Sequence, residues 1–274
     1  MKFARRDLFL AGAGLAIAAP RLSAASIPDA APAGMRVQRL AWAGIKLVAG
    51  QTTVFLDALL PPDKSAVPLT ADTEFRFALV THHHGDHCDP EALKPILKET
   101  GVIIAQKEVA RFVNPLGIRL LSAETHEPVF LSRANGDFVA RAAPAVDGLG
   151  SPQVSWVVDG GGRKILHCGD TLWHGYWWDI GRAYGPFDMV FVPINGFRQV
   201  SPRFTATGVP MALTPEQAVT AALTLGAKVA CPIHYGRSAA DYTEVPKALE
   251  RFSEAARAAG LSTRVPAPGE WFTI

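Results

Sequence analysis

The chain has 274 residues, of which 49% are hydrophobic and 19% are charged. This balance supplies apolar side chains for a large core and excludes an intrinsically disordered chain. The formal net charge is +2, but the first 25 residues carry a net charge of +3, so the rest carries about −1. A nearly neutral domain lacks the basic surface of nucleic-acid-binding proteins, so we expect no nucleic-acid partner.

The N-terminus has the composition of an export signal. A basic segment with Lys2, Arg5 and Arg6 precedes an apolar stretch at 8–19, and small residues follow at 23–25. This order is typical of a cleavable signal peptide, and the apolar stretch is too short to span a bilayer comfortably. The Arg5-Arg6 pair resembles a twin-arginine signal, and the alternatives are an ordinary Sec signal or an uncleaved amphipathic leader.

We therefore expect a periplasmic or secreted protein that is exported by the twin-arginine route. Residues 1–25 are predicted to be the signal peptide, 26–34 a linker and 35–274 one domain. No stretch of that domain is long and apolar enough for a membrane span. The sequence does not indicate an oligomeric state.

The first half of the domain is predicted to alternate strands with short helices. Short hydrophobic runs bounded by turn residues indicate strands, and Asp89 before Pro90 is an N-terminal capping signal for a helix. The predicted elements are strands at 35–43, 45–49, 53–59 and 75–80, a helix at 90–99, a strand at 102–105, a helix at 108–112, and strands at 118–121, 129–131 and 138–143.

The second half repeats this organisation. The Asp-Gly-Gly-Gly run at 159–162 is a hairpin signal, and Thr214 with Gln217 forms a capping box at a helix start. The predicted elements are strands at 154–158, 164–167 and 189–193, a helix from 214 to about 226, a strand at 228–233 and a helix at 245–259. Two similar sheet-plus-helix halves packed sheet to sheet predict an α/β fold with the four layers of an αββα sandwich.

The strongest chemical signal follows the predicted strand at 75–80. Residues His82, His84, Asp86 and His87 have the form H-x-H-x-D-H, which places four ligand-type side chains within six positions. Two imidazoles two residues apart in an extended loop can reach one cation, while Asp86 and His87 can reach a second cation beside it. Imidazole and carboxylate suit Zn²⁺, Mn²⁺ or Fe. A His-rich surface tract is the weaker alternative because this run directly follows an apolar strand.

Four motifs in this order resemble those of the metallo-β-lactamase superfamily, over most of the chain after the signal. They are Phe55-Leu56-Asp57, His82 to His87, His167-Cys168-Gly169-Asp170-Thr171, and Pro232-Ile233-His234-Tyr235-Gly236. The resemblance implies that Asp57 supports the histidine loop, that Asp170 bridges two metals and that His234 binds the second metal. Within the superfamily, the chain is most similar to ascorbate-pathway lactonases and to phospholipase D-type enzymes that cleave N-acyl phosphatidylethanolamine.

One position departs from the pattern of that branch. Where the branch carries Pro-Ala-x-His, this chain has Pro144-Ala145-Val146-Asp147. Asp147 either completes a first metal site with His82 and His84, which would favour Mn²⁺ or Fe over Zn²⁺, or leaves that site weak and only one metal tightly bound. His126, His167 and His174 could in principle substitute, although His167 is so close to Asp170 that we interpret it as a supporting or core residue.

The resemblance implies a metal-dependent hydrolase with two divalent metals per chain, Zn²⁺ first among the candidates and Mn²⁺ or Fe as alternatives. We expect a hydroxide activated by the metals to attack a carbonyl or phosphoryl centre, with Asp86 as the catalytic residue that binds one metal and orients the hydroxide. The expected substrate is a lactone, amide or phosphodiester in a small molecule or lipid. The alternatives are a binding or sensing protein that has lost efficient catalysis and a redox diiron protein.

Three further features leave alternatives open. The aromatic segment from Trp173 to Trp178 can line a substrate pocket or pack in the core at the start of a helix. The long connection at 197–213 contains Arg198 and Arg203, which can meet an anionic group or lie solvated on the surface. The three cysteines are more readily explained as small buried residues than as metal ligands.

Overall fold

The computed structural model describes residues 34–60, 69–71, 73–132, 137–200, 205, 208–237 and 242–274. The predicted signal peptide, most of the predicted linker and Arg203 lie outside the described residues. Short strands dominate, because runs of five to seven apolar and β-branched residues alternate with turns that contain glycine.

The strands number in chain order from β1 to β16. They are β1 (Arg36–Arg39), β2 (Ile45–Ala49), β3 (Thr52–Leu56), β4 (Phe75–Val80), β5 (Val102–Gln106), β6 (Arg119–Ala123), β7 (Val129–Phe130), β8 (Phe138–Pro144), β9 (Val154–Gly160), β10 (Arg163–His167), β11 (Phe187–Pro193), β12 (Arg198–Gln199), β13 (Ala227–Ile233), β14 (Tyr242–Thr243), β15 (Ser262–Thr263) and β16 (Trp271–Thr273).

The helices are α1 (Pro90–Leu97), α2 (Lys107–Ala110), α3 (Trp177–Tyr184), α4 (Pro215–Thr224) and α5 (Ala248–Ala258). Two predicted caps are confirmed. The Asp89 carboxylate accepts a hydrogen bond from the backbone N–H of Ala92 at 3.0 Å, and Thr214 and Gln217 form the reciprocal pair of a capping box. These bonds satisfy backbone N–H groups that a helix start leaves without partners.

The strands form two seven-stranded mixed sheets and a small β12–β14 pair. The first sheet has the order β16-β1-β2-β3-β4-β5-β6, and the second has the order β15-β13-β11-β10-β9-β8-β7. In each sheet, an antiparallel meander leads into strands that pair in parallel. The predicted hairpin at 159–162 is confirmed, and Gly161 and Gly162 both have the positive φ that a tight primed turn requires.

Three apolar cores lie between four layers. A central core between the sheets contains Trp156 and Phe138, with side chains from both sheets. A second core packs Leu93 of α1 against the outer face of the first sheet. A third packs Trp177 of α3 and Phe252 of α5 against the second sheet. The order of layers is therefore helix, sheet, sheet, helix, and the predicted αββα sandwich is confirmed.

Several elements differ from the sequence prediction. The first strand ends at Arg39 rather than at residue 43, because the Arg39 guanidinium donates to the carbonyl oxygens of Leu40, Trp42 and Gly44 and stabilises a turn. Helix α3 was predicted only as one of two alternatives for the aromatic segment. Strand β16 was not predicted, and it pairs with β1 of the first sheet although it lies at the far end of the sequence.

The aromatic segment after Asp170 packs largely in the core at the start of helix α3, which is one of the two predicted alternatives. Trp177 is fully buried in the third core, and the ring of His174 stacks on it with centroids 4.2 Å apart. Tyr176 and Trp178 are exposed. In the described part of the chain, no helix combines the length and the apolar composition needed to cross a bilayer.

Candidate metal centre

The candidate ligands lie where strands of both sheets end. The histidine loop follows β4, Asp147 follows β8, Asp170 follows β10 and His234 follows β13. Sites of α/β proteins commonly lie at the carboxyl ends of strands, where the loops are free to carry polar side chains. The four loops converge, and their side chains meet at one edge of the sandwich.

The structure brings all seven predicted ligands together in three overlapping groups. In each group, the ligand atoms of three residues lie within 4.8 Å of one another. The groups are His82, His84 and Asp147; Asp86, His87 and His234; and His82, His87 and Asp170. The third group shares His82 with the first group and His87 with the second, so Asp170 lies between the two outer groups.

The distances around Asp170 show how it links the two outer groups. Its Oδ1 atom is 3.7 Å from Nε2 of His82, while Oδ2 is 3.9 Å from Nε2 of His87 and 3.8 Å from Nε2 of His234. These separations are too long for hydrogen bonds. They are close to the distance of roughly 3.4 Å between two ligand atoms that each lie about 2.1 Å from the same tetrahedral cation.

The same atoms are buried without hydrogen-bond partners. Among the described residues, Nε2 of His82, His87 and His234 and Oδ1 of Asp170 neither donate nor accept a hydrogen bond. Each such buried polar atom costs about 1–3 kcal/mol, so a cluster of four is not explained by folding. Imidazole nitrogens and carboxylate oxygens are the ligands that Zn²⁺, Mn²⁺ and Fe use, and the residues present therefore fit a metal.

Asp86 occupies the open side of the centre. Its Oδ2 atom is 3.8 Å from Nε2 of His87 and 3.7 Å from Nε2 of His234, and it accepts a hydrogen bond from Nε1 of Trp42 at 3.2 Å. Burial raises the pKa of Asp86, but the neighbouring histidines outweigh burial and hold the pKa well below its usual value. The carboxylate is 33% exposed, so it is ionised and still reachable from the cavity.

The carboxylates around His87 favour a positive charge at its imidazole. Burial lowers the pKa of His87, but the carboxylates of Asp86, Asp170 and Asp57 outweigh burial and raise it to about 10. In contrast, burial lowers the pKa of His82 and of His234, so both imidazoles are neutral. Neutral imidazole is the form that binds metals, and the three carboxylates supply negative charge that a divalent cation can balance.

Asp57 supports the histidine loop from behind. Its Oδ2 atom accepts hydrogen bonds from Nδ1 of His87 at 2.8 Å and from the Thr81 hydroxyl at 2.7 Å, and its Oδ1 accepts from the Thr81 backbone N–H at 2.9 Å. The bond to Nδ1 turns Nε2 of His87 towards the other candidate ligands. A carboxylate in this position fixes the tautomer of a metal-binding histidine and raises its basicity.

Replacing Asp57 with Asn is expected to lower metal affinity by about 10–100-fold, because His87 loses its anionic acceptor. Competition with a chromophoric chelator measures the affinity. Asp188→Asn is the matched control, since Asp188 is also a largely buried carboxylate but bonds to Lys164 and Lys228 away from the centre. Equal metal affinity in the Asp57 and Asp188 variants would contradict the supporting role.

Asp147 has two sets of neighbours. It is buried, and its Oδ2 atom accepts hydrogen bonds from the backbone N–H groups of Leu149 at 3.0 Å and Ser151 at 2.7 Å. The carboxylate also lies within ligand distance of His82 and His84. One oxygen therefore stabilises the loop, and the carboxylate can use its other oxygen as a metal ligand.

The three histidines considered as substitutes lie elsewhere. Both ring nitrogens of His167 are engaged, by the carbonyl oxygen of Ala43 at 2.8 Å and the N–H of Gly169 at 3.3 Å. His126 is exposed and bonds to the hydroxyl of Tyr184. His174 stacks on Trp177, so none of the three joins a candidate ligand group.

The three cysteines are free and buried, and burial raises the pKa of all three thiols.

The centre opens into a cavity of about 300 Å³. Sequence reasoning missed three of the residues that line it: Trp42, Asn195 and Arg237. Trp42 lies in the turn between β1 and β2, and its ring is 4.1 Å from the ring of His234. None of the three belongs to a ligand motif. A clue was available only for Asn195, which is a polar residue directly after the apolar run of β11.

Comparison with known proteins gives a consistent result. A family model described as the beta-lactamase superfamily domain matches residues 52–235. A protein of Thermus thermophilus named "UPF0173 metal-dependent hydrolase" is 27% identical over 246 residues, which cover 86% of this chain and 97% of that protein. A protein of Thermococcus kodakarensis with the same name is 26% identical over 183 residues, which cover 63% of this chain and 78% of that protein.

Solved structures agree on the fold. The metallo hydrolase Igni18 from Ignicoccus hospitalis superposes with a TM-score of 0.66 at 18% identity, over 88% of this chain and 98% of that one. At this level of identity the likeness shows the shared fold alone.

Proposed function

This chain belongs to the beta-lactamase superfamily and is a metal-dependent hydrolase, and we propose that it uses two divalent cations to cleave a lactone, amide or phosphodiester bond. The observation that carries the proposal is the convergence of three ligand groups whose buried atoms have no hydrogen-bond partner in the described part of the chain. Resemblance of the motifs to lactonases and to N-acyl phosphatidylethanolamine phosphodiesterases makes lactones and phosphodiesters the first bonds to test.

The ligand assignment follows the groups. We assign His82, His84 and Asp147 to one cation, Asp86, His87 and His234 to the other, and Asp170 to both. Divalent cations in such a site supply Lewis acidity, which polarises a carbonyl or phosphoryl oxygen and makes water acidic enough to react near neutral pH. Each side has two histidines, one aspartate of its own and a share of Asp170, so Zn²⁺ fits both sides and the carboxylates make Mn²⁺ or Fe an alternative.

The residues of the chain provide positioning and proton acceptance. Asp86 is ionised and partly exposed, so its carboxylate can accept a hydrogen bond from the attacking water and hold it beside the scissile bond. Trp42 donates to the same carboxylate and so fixes its orientation. Asp170 is buried between the two histidine groups, with one carboxylate oxygen 3.7 Å from His82 and the other 3.9 Å from His87.

Metal removal and a substrate panel test the proposed function. We expect a chelator to abolish hydrolysis, and Zn²⁺ or Mn²⁺ to restore it, for at least one of a γ-lactone, an N-acyl amino acid and bis-nitrophenyl phosphate. Full hydrolysis by metal-free protein would contradict the role of the cations. Binding of metals without turnover of any panel member would favour the second candidate function.

That second candidate is a binding or sensing protein with a weakened first metal site. The observation that favours it is the engagement of one Asp147 oxygen by two backbone N–H groups, because a carboxylate held by its own loop is a poorer ligand than the histidine of the resembled branch.

We also propose that the mature domain, residues 35–274, acts in the periplasm or outside the cell. The basic segment with Arg5 and Arg6 ahead of an apolar stretch supports export by the twin-arginine route, which carries folded and metal-loaded proteins. Changing both arginines to lysine should leave the precursor in the cytoplasm, as measured by fractionation and immunoblotting. Unchanged processing of this variant would point to the Sec route, and a Sec inhibitor would then block it.

A further inference from the structure

A serine outside the ligand motifs connects two of the candidate ligands. A hydrogen bond of 2.9 Å joins Nε2 of His84 and the hydroxyl of Ser151, and the backbone N–H of Ser151 donates to Oδ2 of Asp147 at 2.7 Å. The ring of His82 lies beside that of His84, with the centroids 4.5 Å apart. Ser151 therefore contacts two of the three residues in the first candidate ligand group, through two different atoms.

The loop that carries Ser151 is restrained by its own contacts. Besides the bonds of its carboxylate, Asp147 accepts through its carbonyl oxygen a hydrogen bond from the N–H of Gly150 at 3.1 Å. Gly148 packs closely on Met211, and a Cβ atom at Gly148 would lie only 2.4 Å from the carbonyl oxygen of Met211. A residue with a side chain does not fit there without a shift of the backbone. The hydroxyl of Ser151 is thus presented by a restrained loop that includes Asp147.

The contact with Ser151 distinguishes the two nitrogens of the His84 ring. In a neutral imidazole, one ring nitrogen carries a proton and the other has a lone pair. Nε2 of His84 is engaged by the hydroxyl, so Nδ1 is the nitrogen left for a cation. When the hydroxyl accepts the Nε2 proton, the lone pair lies on Nδ1. Without this acceptor, the ring can carry its proton on Nδ1, where it blocks a cation.

Two other histidines of the centre have the same division of roles. In His82 and His87, a side-chain oxygen lies within hydrogen-bond distance of Nδ1, while Nε2 is buried without a partner among the described residues. Metal-binding histidines generally have such a partner at the nitrogen that does not bind the metal. His84 follows this pattern with its nitrogens exchanged, and Ser151 is its supporting partner.

We propose that Ser151 is a positioning residue for the first cation, because its hydroxyl accepts the Nε2 proton of His84 and keeps the Nδ1 lone pair available as a ligand. This role rests on the proposed function, in which His82, His84 and Asp147 hold that cation. It also gives Asp147 a second task, since the same carboxylate anchors the serine that orients His84. A carboxylate has two oxygens for these two tasks.

Metal titration of Ser151→Ala tests this role without turnover. Calorimetry with Zn²⁺ and with Mn²⁺ resolves the binding steps of the full protein. We expect one step to weaken by about 10–100-fold, as is usual when a metal-binding histidine loses its supporting partner, and the other step to stay unchanged. Ser151→Thr keeps the hydroxyl and should bind both metals like the wild type. Ser253→Ala is the matched control, since it removes an exposed hydroxyl of α5 that bonds to the carbonyl oxygen of Leu249.

Nitrogen NMR of histidine-labelled, zinc-loaded protein gives a readout that a purely structural role would not change. In the wild type and in Ser151→Thr, we expect a proton on Nε2 of His84 and zinc on Nδ1. At saturating zinc, this proton should exchange with water faster in Ser151→Ala, because its acceptor is lost. Zinc bound to Nε2 of His84 in the wild type would overturn the proposal, since that nitrogen would then face the cation and not Ser151.

The outcomes separate the role of Ser151 from the proposed function. If the wild type binds two metals and Ser151→Ala binds both with wild-type affinity, the role of Ser151 alone is overturned. A wild type that binds fewer than two metals would overturn both. If Ser151→Ala loses affinity for one metal but the wild type cleaves no panel bond, the proposed function fails and the role of Ser151 stands.

Discussion

Asp86→Asn is expected to lower kcat by at least about two orders of magnitude while the fold is retained. The carboxylate is the one candidate ligand that is both ionised and substantially exposed to the cavity, and it contacts His87 and His234 at the same time. An amide cannot accept a proton and is a weaker metal ligand, so the variant loses a ligand and the group that orients water. Initial rates on the best panel substrate measure the effect.

The control for this variant is Asp179→Asn, which makes the same chemical change at an exposed position of α3 where the carboxylate pairs with Arg182. It should leave kcat unchanged. Melting curves of both variants separate loss of function from loss of fold, because Asn can still accept the hydrogen bond from Trp42. Near-normal turnover by Asp86→Asn would remove Asp86 from the mechanism.

The elements that the sequence predicted well are those with local signals. Helices α1 and α4 have capping residues, and the β9–β10 hairpin has glycines, that act within a few residues of the backbone they stabilise. Their pattern can therefore be recognised in the sequence without knowledge of tertiary contacts. The H-x-H-x-D-H run is equally local, since four ligand-type residues follow one buried strand.

Elements without local signals were missed, or were predicted only as one of two alternatives, for physical reasons. Helix α3 begins at Trp177 after Tyr176, which makes no side-chain capping hydrogen bond, and it is stabilised by packing of Trp177 and Ile180 in the third core. Strand β16 has three residues, too few for a periodic pattern, and forms only because β1 offers it an edge.

The residues that line the cavity besides the candidate ligands could not be predicted for a related reason. Trp42, Asn195 and Arg237 come from three separate loops, and none of them belongs to a ligand motif. Their proximity to the metal centre arises from the packing of two sheets, and no short sequence motif predicts that packing. The candidate ligands could be placed by motif, whereas the other residues that line the cavity are brought together only by the tertiary structure.

Asp147 is the position at which metal content depends on a single side chain. If Asp147 is a ligand, wild-type protein should bind about two metal ions per chain and Asp147→Ala should bind about one. Asp147→His should bind two again and prefer Zn²⁺, because imidazole suits Zn²⁺ better than a second carboxylate does. Metal analysis after identical loading and desalting measures all three proteins.

The hydrogen bonds of Asp147 require a further variant. Its Oδ2 atom stabilises the loop through Leu149 and Ser151, so the alanine variant loses both the loop contacts and the ligand. Asp147→Asn separates these roles, since an amide oxygen still accepts the two backbone N–H groups but carries no charge. If ligation is the role, Asp147→Asn should keep the wild-type melting temperature without metal and yet bind less metal. Wild-type metal content in both the Asn and Ala variants would show that Asp147 serves only the loop and that the first site is held by His82 and His84 with Asp170.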